Sequence, residues 1–600
     1  MEYQDTANQS LSELDQSEFD LSFFSRIRMM FSAFWTSRVR MKVILLSAAL
    51  LTIILATAYA QILLNRWNVP FYDSLERRDI NEFFHQLVVF SGIASFLLLL
   101  NVAQTWFNQM LALYMREGLT RDLVDHWLKE KRALRLTASG AIGVNPDQRL
   151  HEDARNLSES TTGLTIGLVQ ATVLLASFIG VLWHLSEGFV FHLGGNSFSI
   201  PGYMVWAAVL YAGIASLLSQ LVGGRLVRLN ADRYSKEAEL RFSLMRTNEN
   251  LSAITLAGGE ENERRHINVD ISRVLAVLRS IAIAQTNLTW VTAGTGWLAV
   301  IVPILVAAPV YFAGSLTFGG LMMAVGAFNQ VYAALRWYVA NFSAIADWKA
   351  TLIRVTNFRH ALLYSNGKAH EHAKIEVMTA PPGVMTLSDV EISTHVNPTA
   401  SNGGFRLHET DVRIGPGERI MINGDYGVNR RLLFAAFARL WPWGKGKMAL
   451  PPGTDMLFMA QTIYLPEGTL REVIAYPEDK DAFSSTEISA VLERVGLGRL
   501  TSMLDNQARW DRLLDTDDKR CLAFANMLLR KPRWLVLDDV LEGLEPDCQQ
   551  HLSEVLRELP DTTIIYVGRS EAYVRVVNPR VLHLERLRTG GSAKEPVPAE

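Results

Sequence analysis

The chain has 600 residues, of which 49% are hydrophobic and 20% charged, with a formal net charge of −3. That is too apolar for an ordinary soluble protein and too charged for one lying wholly in a membrane, so a membrane part joined to a soluble part is expected. The small net charge argues against a polyanionic partner such as nucleic acid, and Cys521 and Cys548 alone provide neither a disulfide framework nor a Cys/His metal set.

Residues 1–20 are polar and acidic and are expected to be disordered, as is the Gly- and Pro-containing tail at 589–600. Residues 1–40 read as a cytoplasmic N-terminal segment without a cleavable signal, because the first apolar run begins only near Val43. A membrane helix needs about 20 mostly apolar residues. Six stretches qualify: Val43–Leu64, Leu87–Phe107, Leu164–Leu185, Tyr203–Val222, Leu288–Phe312 and Leu321–Ile345, giving a six-span domain over 41–350. Arg and Lys crowd the segment before the first span and the loops 108–163 and 223–287, whereas 186–202 and 313–320 contain none. That asymmetry places the N-terminus and the C-terminal domain in the cytoplasm, with 65–86 as a basic external loop. Glu117–Arg132 and Lys236–Asn250 carry charge at helical spacing and read as helical extensions beyond the bilayer. The loop 186–202, with Gly194-Gly195-Asn196, reads as a hairpin or turn.

From about Ile375 the pattern changes. Short β-like runs at Val384–Leu387, Arg419–Ile422, Leu457–Met459, Trp534–Leu537 and Thr563–Val567 alternate with helical stretches at 430–440, 485–496, 520–530 and 547–558. This is the signature of an α/β domain with a mostly parallel sheet, spanning 375–588.

A phosphate-binding loop joins a strand to a helix. Its N–H groups cradle phosphates, a Lys reaches the terminal phosphates, and a Ser or Thr hydroxyl holds magnesium. Here Arg419–Ile422 leads into Gly424-Asp425-Tyr426-Gly427-Val428-Asn429-Arg430-Arg431 and then an apolar helix. Asn429 stands at the last loop glycine, Arg430 at the lysine, and Arg431 at the magnesium hydroxyl, where a guanidinium cannot ligate a cation. Arg430 and Gly424 still offer donors; the alternative for Arg430 and Arg431 is a solvated helix start. Trp534-Leu535-Val536-Leu537-Asp538-Asp539 is an apolar strand ending in acid, with Asp538 as the magnesium-side carboxylate and Asp539 where a Glu usually polarises water.

The C-terminal part resembles an ABC ATPase domain, and the whole chain, over roughly 40–590, resembles the SbmA/BacA-type (YddA-like) transporters with fused permease and ATP-binding parts, relatives of the peroxisomal acyl-CoA half-transporters. The strings that carry the resemblance are Phe71-Tyr72-Asp73-Ser74-Leu75, Asn145-Pro146-Asp147-Gln148-Arg149 through Glu152-Asp153, Glu239-Leu240-Arg241-Phe242, Phe318-Gly319-Gly320-Leu321 and Leu440-Trp441-Pro442-Trp443. The resemblance implies ATP and magnesium as cofactors. It sets Gln461 at the Q-loop, Asp515 at the signature serine within Leu514-Asp515-Thr516-Asp517-Asp518, Gly543-Leu544-Glu545 at the D-loop and Arg569 at the switch histidine. Carboxylates at the signature repel a nucleotide, and Arg569 does not cycle protons near neutral pH.

The expectation is therefore a transporter half in the bacterial inner membrane that dimerises with a copy or with another ABC half. Its ATP hydrolysis is impaired. The resemblance implies that it moves peptides or comparable bulky hydrophilic solutes. A proton-driven mode needs titratable groups near the pathway. Asp73, Glu76, Asp79, Glu82 and Asp347 are the candidates, set against the plainer expectation that each is a solvated loop or helix-end acid.

Overall fold

The computed structural model describes residues 22–129, 132–137, 146–187, 191–193, 196–198, 200–364, 375–381, 383–393, 404–425 and 428–587. The expected disorder of residues 1–20 and the tail at 589–600 both fall outside these. The chain divides into two compact units, one of residues 1–129 with 140–364 and one of 130–139 with 365–600.

The first unit is helical. Helix α1 (Phe23–Thr36) precedes α2 (Arg40–Arg77), α3 (Ile80–Trp127), α4 (Ala154–Leu185, entered through a π-turn at Arg149–Asp153), α5 (Tyr203–Glu249), α6 (Glu260–Phe312), α7 (Phe318–Ala340) and α8 (Phe342–Tyr364). Among the described residues, six helices are long and apolar enough to cross a membrane: Arg40–Arg77, Ile80–Trp127, Pro146–Leu185, Tyr203–Glu249, Glu260–Phe312 and Phe318–Leu363. Their outward faces carry Leu98, Leu99, Trp290 and Trp297 exposed, as expected of helices whose solvent is lipid. Where helices meet, small side chains bring backbones close: Ala208, Ala212 and Ala215 of α5 and Ala324 and Ala327 of α7 pack around Phe178 and Phe328.

The structure corrects the expected loop at 65–86. Helix α2 runs through Arg77, and the connection is a tight turn in which Arg78 adopts φ 58° and Asp79 caps α3 by accepting from the N–H groups of Asn81 and Glu82 at 3.1 Å each. Charge in that segment marked its surface, not a break in its helix. The last expected span, Leu321–Ile345, is also interrupted, because α7 ends at Ala340 with Asn341 as its cap. The helical extensions hold for Glu117 to Trp127 and for Lys236 to Glu249. A hairpin forms at Phe191–Leu193 and Asn196–Phe198, its tip Gly194-Gly195 lying outside the described residues.

The second unit is built on a ten-stranded sheet. Its strands are β1 (Glu376–Thr379), β2 (Met385–Ser393), β3 (Gly404–Leu407), β4 (Asp411–Ile414), β5 (Arg419–Gly424), β6 (Gly444–Leu450), β7 (Met456–Met459), β8 (Trp534–Asp538), β9 (Thr563–Val567) and β10 (Arg580–Arg586). The order is β1-β6-β2-β3-β10-β5-β9-β8-β7, with β4 on β2. Strands β10, β5, β9, β8 and β7 are mutually parallel, as the sequence pattern implied. Strands β2, β3, β4 and β6 form an antiparallel wing that the β-like runs only touched. The central strands read as continuous apolar runs because both faces are covered. Leu535, Leu537, Ile564 and Tyr566 point into one core with α11 (Thr516–Arg530) and α12 (Pro546–Arg557). Trp534, Val536, Ile565 and Val567 point into the other, beneath α9 (Arg430–Phe437). The helix Ser485–Arg494, α10, completes the first core.

Candidate functional site

The site lies where parallel strands β5, β8 and β9 end. Ile420 and Ile422 bury β5 in the sheet, and the chain leaves it at Gly424, where a Cβ would stand 3.0 Å from Leu584 Cβ and 3.2 Å from its carbonyl. A side chain at 424 would crowd β10, so β5 and β10 are closely packed at this exit. Asp425 then folds back. It accepts from His583 Nε2 at 3.0 Å and from the Arg586 N–H at 3.3 Å, and these bonds hold its carboxyl below the usual range. Tyr426 and the expected site glycine Gly427 lie outside the described residues. Asn429 occupies the cap of α9 but makes no side-chain capping bond.

Arg430 and Arg431 open α9, and the acidic strand end faces them. Arg430 is mostly buried, its Nη2 3.4 Å from Asp539 Oδ2. Arg431 is more exposed, its Nε 3.8 Å from Asp538 Oδ2. Arg430 is therefore not the solvated helix start that the sequence left open. Burial raises the Asp538 carboxyl, against the pull of Arg431. Asp539 adopts φ 45° and turns its carboxylate inward, accepting from Tyr566 Oη at 3.2 Å and from the Arg569 N–H at 3.4 Å. Gly568 permits this, since a Cβ there would meet Asp539 Oδ1 at 2.4 Å.

Arg569, at the switch position, lies over the start of the phosphate loop. Its Nε donates to Asn423 Oδ1 at 3.2 Å and its Nη2 to the Gly424 carbonyl. Gln461 donates to Glu542 Oε2 at 3.5 Å, and Asp539 pushes the Glu542 carboxyl up. The sequence reading passed over Asn423, Glu542 and Tyr566, since nothing in their local strings reports that the fold brings them here. Asp515 serves as the cap of α11, accepting from the Asp518 N–H at 2.7 Å. Of the acids beside it, Asp518 is paired with Arg499, and Asp517 accepts from the Glu545 N–H at 3.2 Å. The negative charge expected at the signature position is thus partly neutralised.

Among the transport candidates, Asp73 departs from a solvated loop acid. It is 8% exposed and accepts from the Gly319 N–H at 2.8 Å, tying α2 to the start of α7. A Cβ on Gly319 would stand 2.3 Å from the Val69 carbonyl, so the Phe318-Gly319-Gly320 string is a close-packing device. Glu76, Asp79 and Asp347 are exposed, and Glu82 accepts from Gln86.

Residues 29–312 match the family model described as ABC transporter transmembrane region 2. Along most of its length the chain is also 27% identical to the inner membrane ABC transporter ATP-binding protein YddA of Escherichia coli, over 89% of this chain and 93% of that one. Residues 29–312 are thus of the ABC transporter transmembrane kind, and the chain as a whole is similar to ABC transporter proteins. Its similarity extends to ABC transporter D family member 2, chloroplastic, of Arabidopsis thaliana (26% identical; 91% of this chain, 84% of that one). It extends also to the human lysosomal cobalamin transporter ABCD4 (22% identical; 84% and 85%).

The similarity to ABC transporter ATP-binding proteins makes ATP and magnesium the groups to test against this site. A magnesium ion beside Asp538 needs an oxygen ligand from the first turn of α9, and Arg431 brings a guanidinium instead. Arg430, the phosphate-side cation, is turned to Asp539. The residues present do not fit a magnesium–nucleotide of the usual kind.

Proposed function

We propose that this chain is half of a dimeric membrane transporter whose cytoplasmic domain hydrolyses ATP slowly or not at all. The observation that carries this is the pairing of Arg430 with Asp539 and of Arg431 beside Asp538, which sets protein cations against the carboxylates a metal would use. Losing one well-placed contact to a developing charge costs about 3 kcal/mol of barrier, on the order of a hundredfold in rate. Asn429, Arg430, Arg431, Asp515 and Arg569 each depart from the expected chemistry, and in a homodimer both composite sites carry every departure.

Dimerisation is supported by apolar surface beyond the bilayer. Helix α5, at 47 residues, is about 70 Å long against a hydrocarbon core of about 30 Å. Phe242 and Met245 are exposed near its far end, and Leu256 lies exposed after it, on a segment otherwise rich in charge. The solute is of the peptide or bulky hydrophilic class, on the resemblance drawn from the sequence; the membrane is the bacterial inner membrane, by likeness to YddA, with the sheet unit on its cytoplasmic side, from the distribution of Arg and Lys along the chain. A second reading, uptake driven by the proton gradient, draws on Asp73, a carboxyl buried at a helix junction of the membrane unit.

The test is ATP turnover and ATP binding by the full chain in lipid vesicles, beside an Asn429→Gly, Arg430→Lys, Arg431→Thr variant. Native turnover well above a protein-free control overturns the proposal. Solute uptake that survives ATP depletion and stops with an uncoupler supports the second reading.

A further inference from the structure

The only two cysteines of the chain meet in the fold. Cys521 and Cys548 stand 27 residues apart in sequence, and their sulfurs are 3.9 Å apart in space. A buried side chain touches about 6–12 others, so in a chain of 600 residues chance brings two given side chains together on the order of once or twice in a hundred. Their spacing along the sequence gives no sign of the contact.

The surroundings hold the pair in register. Cys521 lies on α11, 6% exposed, and Cys548 lies half-buried in the first turn of α12, at the edge of the first core of the sheet unit. Polar contacts tie α11 to the segment that leads into α12. Asp517 accepts from the Glu545 N–H at 3.2 Å, and the buried Arg520 donates to the Val540 carbonyl and to that of Glu542 at 3.2 Å. The two sulfurs separate only if the Arg520 bonds break inside the protein.

Reactivity falls to Cys548. It is the more open of the two, and it sits at the N-terminal end of a 12-residue helix, where the peptide dipoles favour a thiolate. Its contact with Cys521 holds its thiol below the usual range, against burial and the charges of Asp517, Glu545 and Asp515. Cys521 waits behind it, in contact with the sulfur that reacts first.

We propose that Cys521 and Cys548 form a peroxide-responsive dithiol that closes to an intrachain disulfide and staples α11 to α12. The Cys548 thiolate attacks one oxygen of hydrogen peroxide. The O–O bond breaks, hydroxide leaves and takes up a proton as water, and the sulfur becomes a sulfenic acid. The Cys521 thiol then attacks that sulfur. The S–O bond breaks, the hydroxyl departs as water with the Cys521 proton, and the S–S bond forms. Two thiols and one peroxide give one disulfide and two waters, the sulfurs together losing two electrons. A dithiol reductant reverses the step by exchange. In a reducing cytoplasm such a pair stays open until peroxide rises. The staple closes a 27-residue loop that carries β8, Asp538 and Asp539. It joins the helix capped by Asp515 to the helix that follows Gly543-Leu544-Glu545, whether or not the domain turns over ATP.

The test uses the full wild-type chain in lipid vesicles, reduced and then freed of reductant. It is exposed to hydrogen peroxide, blocked with N-ethylmaleimide, digested and read by mass spectrometry. A peptide pair joined through Cys521 and Cys548 should appear as both maleimide adducts vanish, and dithiothreitol should restore the adducts. In Cys521→Ala the dimedone adduct of the Cys548 sulfenic acid should rise severalfold over wild type, since no thiol is left to resolve it. In Cys548→Ala, Cys521 should stay a free thiol. Three outcomes overturn the proposal: both thiols still free at a peroxide concentration that oxidises glutathione, oxidation of either sulfur to sulfinic acid without the linked peptide, or linkage only between chains. Oxidation of the wild type should also raise the unfolding midpoint of the sheet unit by up to about 10 °C. A midpoint unchanged or lowered means that the fold does not accommodate the bond, and it overturns the staple.

Discussion

Asp153 closes the Asn145–Asp153 string, and its burial gives the string a physical purpose that can be measured. Its carboxylate is 2% exposed and accepts three charge-assisted bonds: one from Arg149 at 2.6 Å and two from Arg354 at 3.1 and 2.7 Å. These join the start of α4 to α8. A hydrogen bond to a charged group contributes about 1.5–3 kcal/mol. The Arg354 side chain is 40% exposed, so solvent screening brings each bond here nearer to about 1 kcal/mol. Bond counts then order the variants. Asp153→Asn should cost about 3 kcal/mol, Arg354→Gln about 2 and Arg149→Gln about 1. Thermal or denaturant unfolding in detergent, followed by a probe on the helical unit, supplies the differences. The Asp153→Asn, Arg354→Gln double variant should cost clearly less than the sum of the singles, because the second change removes a partner already lost. A loss at Asp153 no greater than at the exposed Asp505 refutes the reasoning, as does strict additivity.

Two further outcomes concern the sheet unit. The Cys521 and Cys548 sulfurs are 3.9 Å apart; the contact between them pushes the Cys521 thiol up, with burial adding to it, and holds that of Cys548 down against its own burial. Pulsed alkylation read by peptide mass spectrometry should therefore modify Cys548 first, and equal rates would count against the arrangement. Asp538, raised by burial, binds its proton more tightly folded than unfolded. Its contribution favours the fold as pH drops from its raised value toward 3.8 and is lost as pH rises through that window. The stability difference between wild type and Asp538→Asn should shrink on acidification; a difference independent of pH rejects it.

Much of this architecture could be read locally, and its failures share one cause. The spans, the parallel core strands and the strand–loop–helix at Arg419–Phe437 announce themselves through apolar runs and periodicity, which are properties of neighbouring residues. The antiparallel wing does not, because β4 and β6 alternate with exposed polar positions and read like loop. The burial of Asp73 escapes a local reading for a related reason: its partner is the Gly319 N–H, 246 residues away in sequence. The same holds for Arg359 with Asp122 and Gln461 with Glu542, whose roles depend on partners no local pattern specifies.

The remaining prediction follows from asking why Asp538 and Asp539 persist beside arginines. Two carboxylates at the buried end of a strand repel each other and lose hydration, so the fold needs positive charge nearby. In a phosphate-loop enzyme a bound metal supplies it. On the reading proposed above, Arg430 supplies it here from within the chain, and the aspartates have become structural. Arg430→Gln should then destabilise the sheet unit by about 2 kcal/mol, below the 3–5 of a fully buried pair because the 3.4 Å contact is long and partly open to water. In the Asp539→Asn background the same change should cost less, since the amide oxygen still accepts from Tyr566 and Arg569 and the carboxylate that Arg430 pairs with is gone. Arg431, 64% exposed and 3.8 Å from Asp538, should matter by less than about 1 kcal/mol either way. Unfolding measurements on the Arg430 and Asp539 cycle decide the matter. Costs that add to within about 0.5 kcal/mol mean that Arg430 is not the counter-charge of Asp539. A native protein stabilised strongly by magnesium and ATP means that an external cation still holds that place.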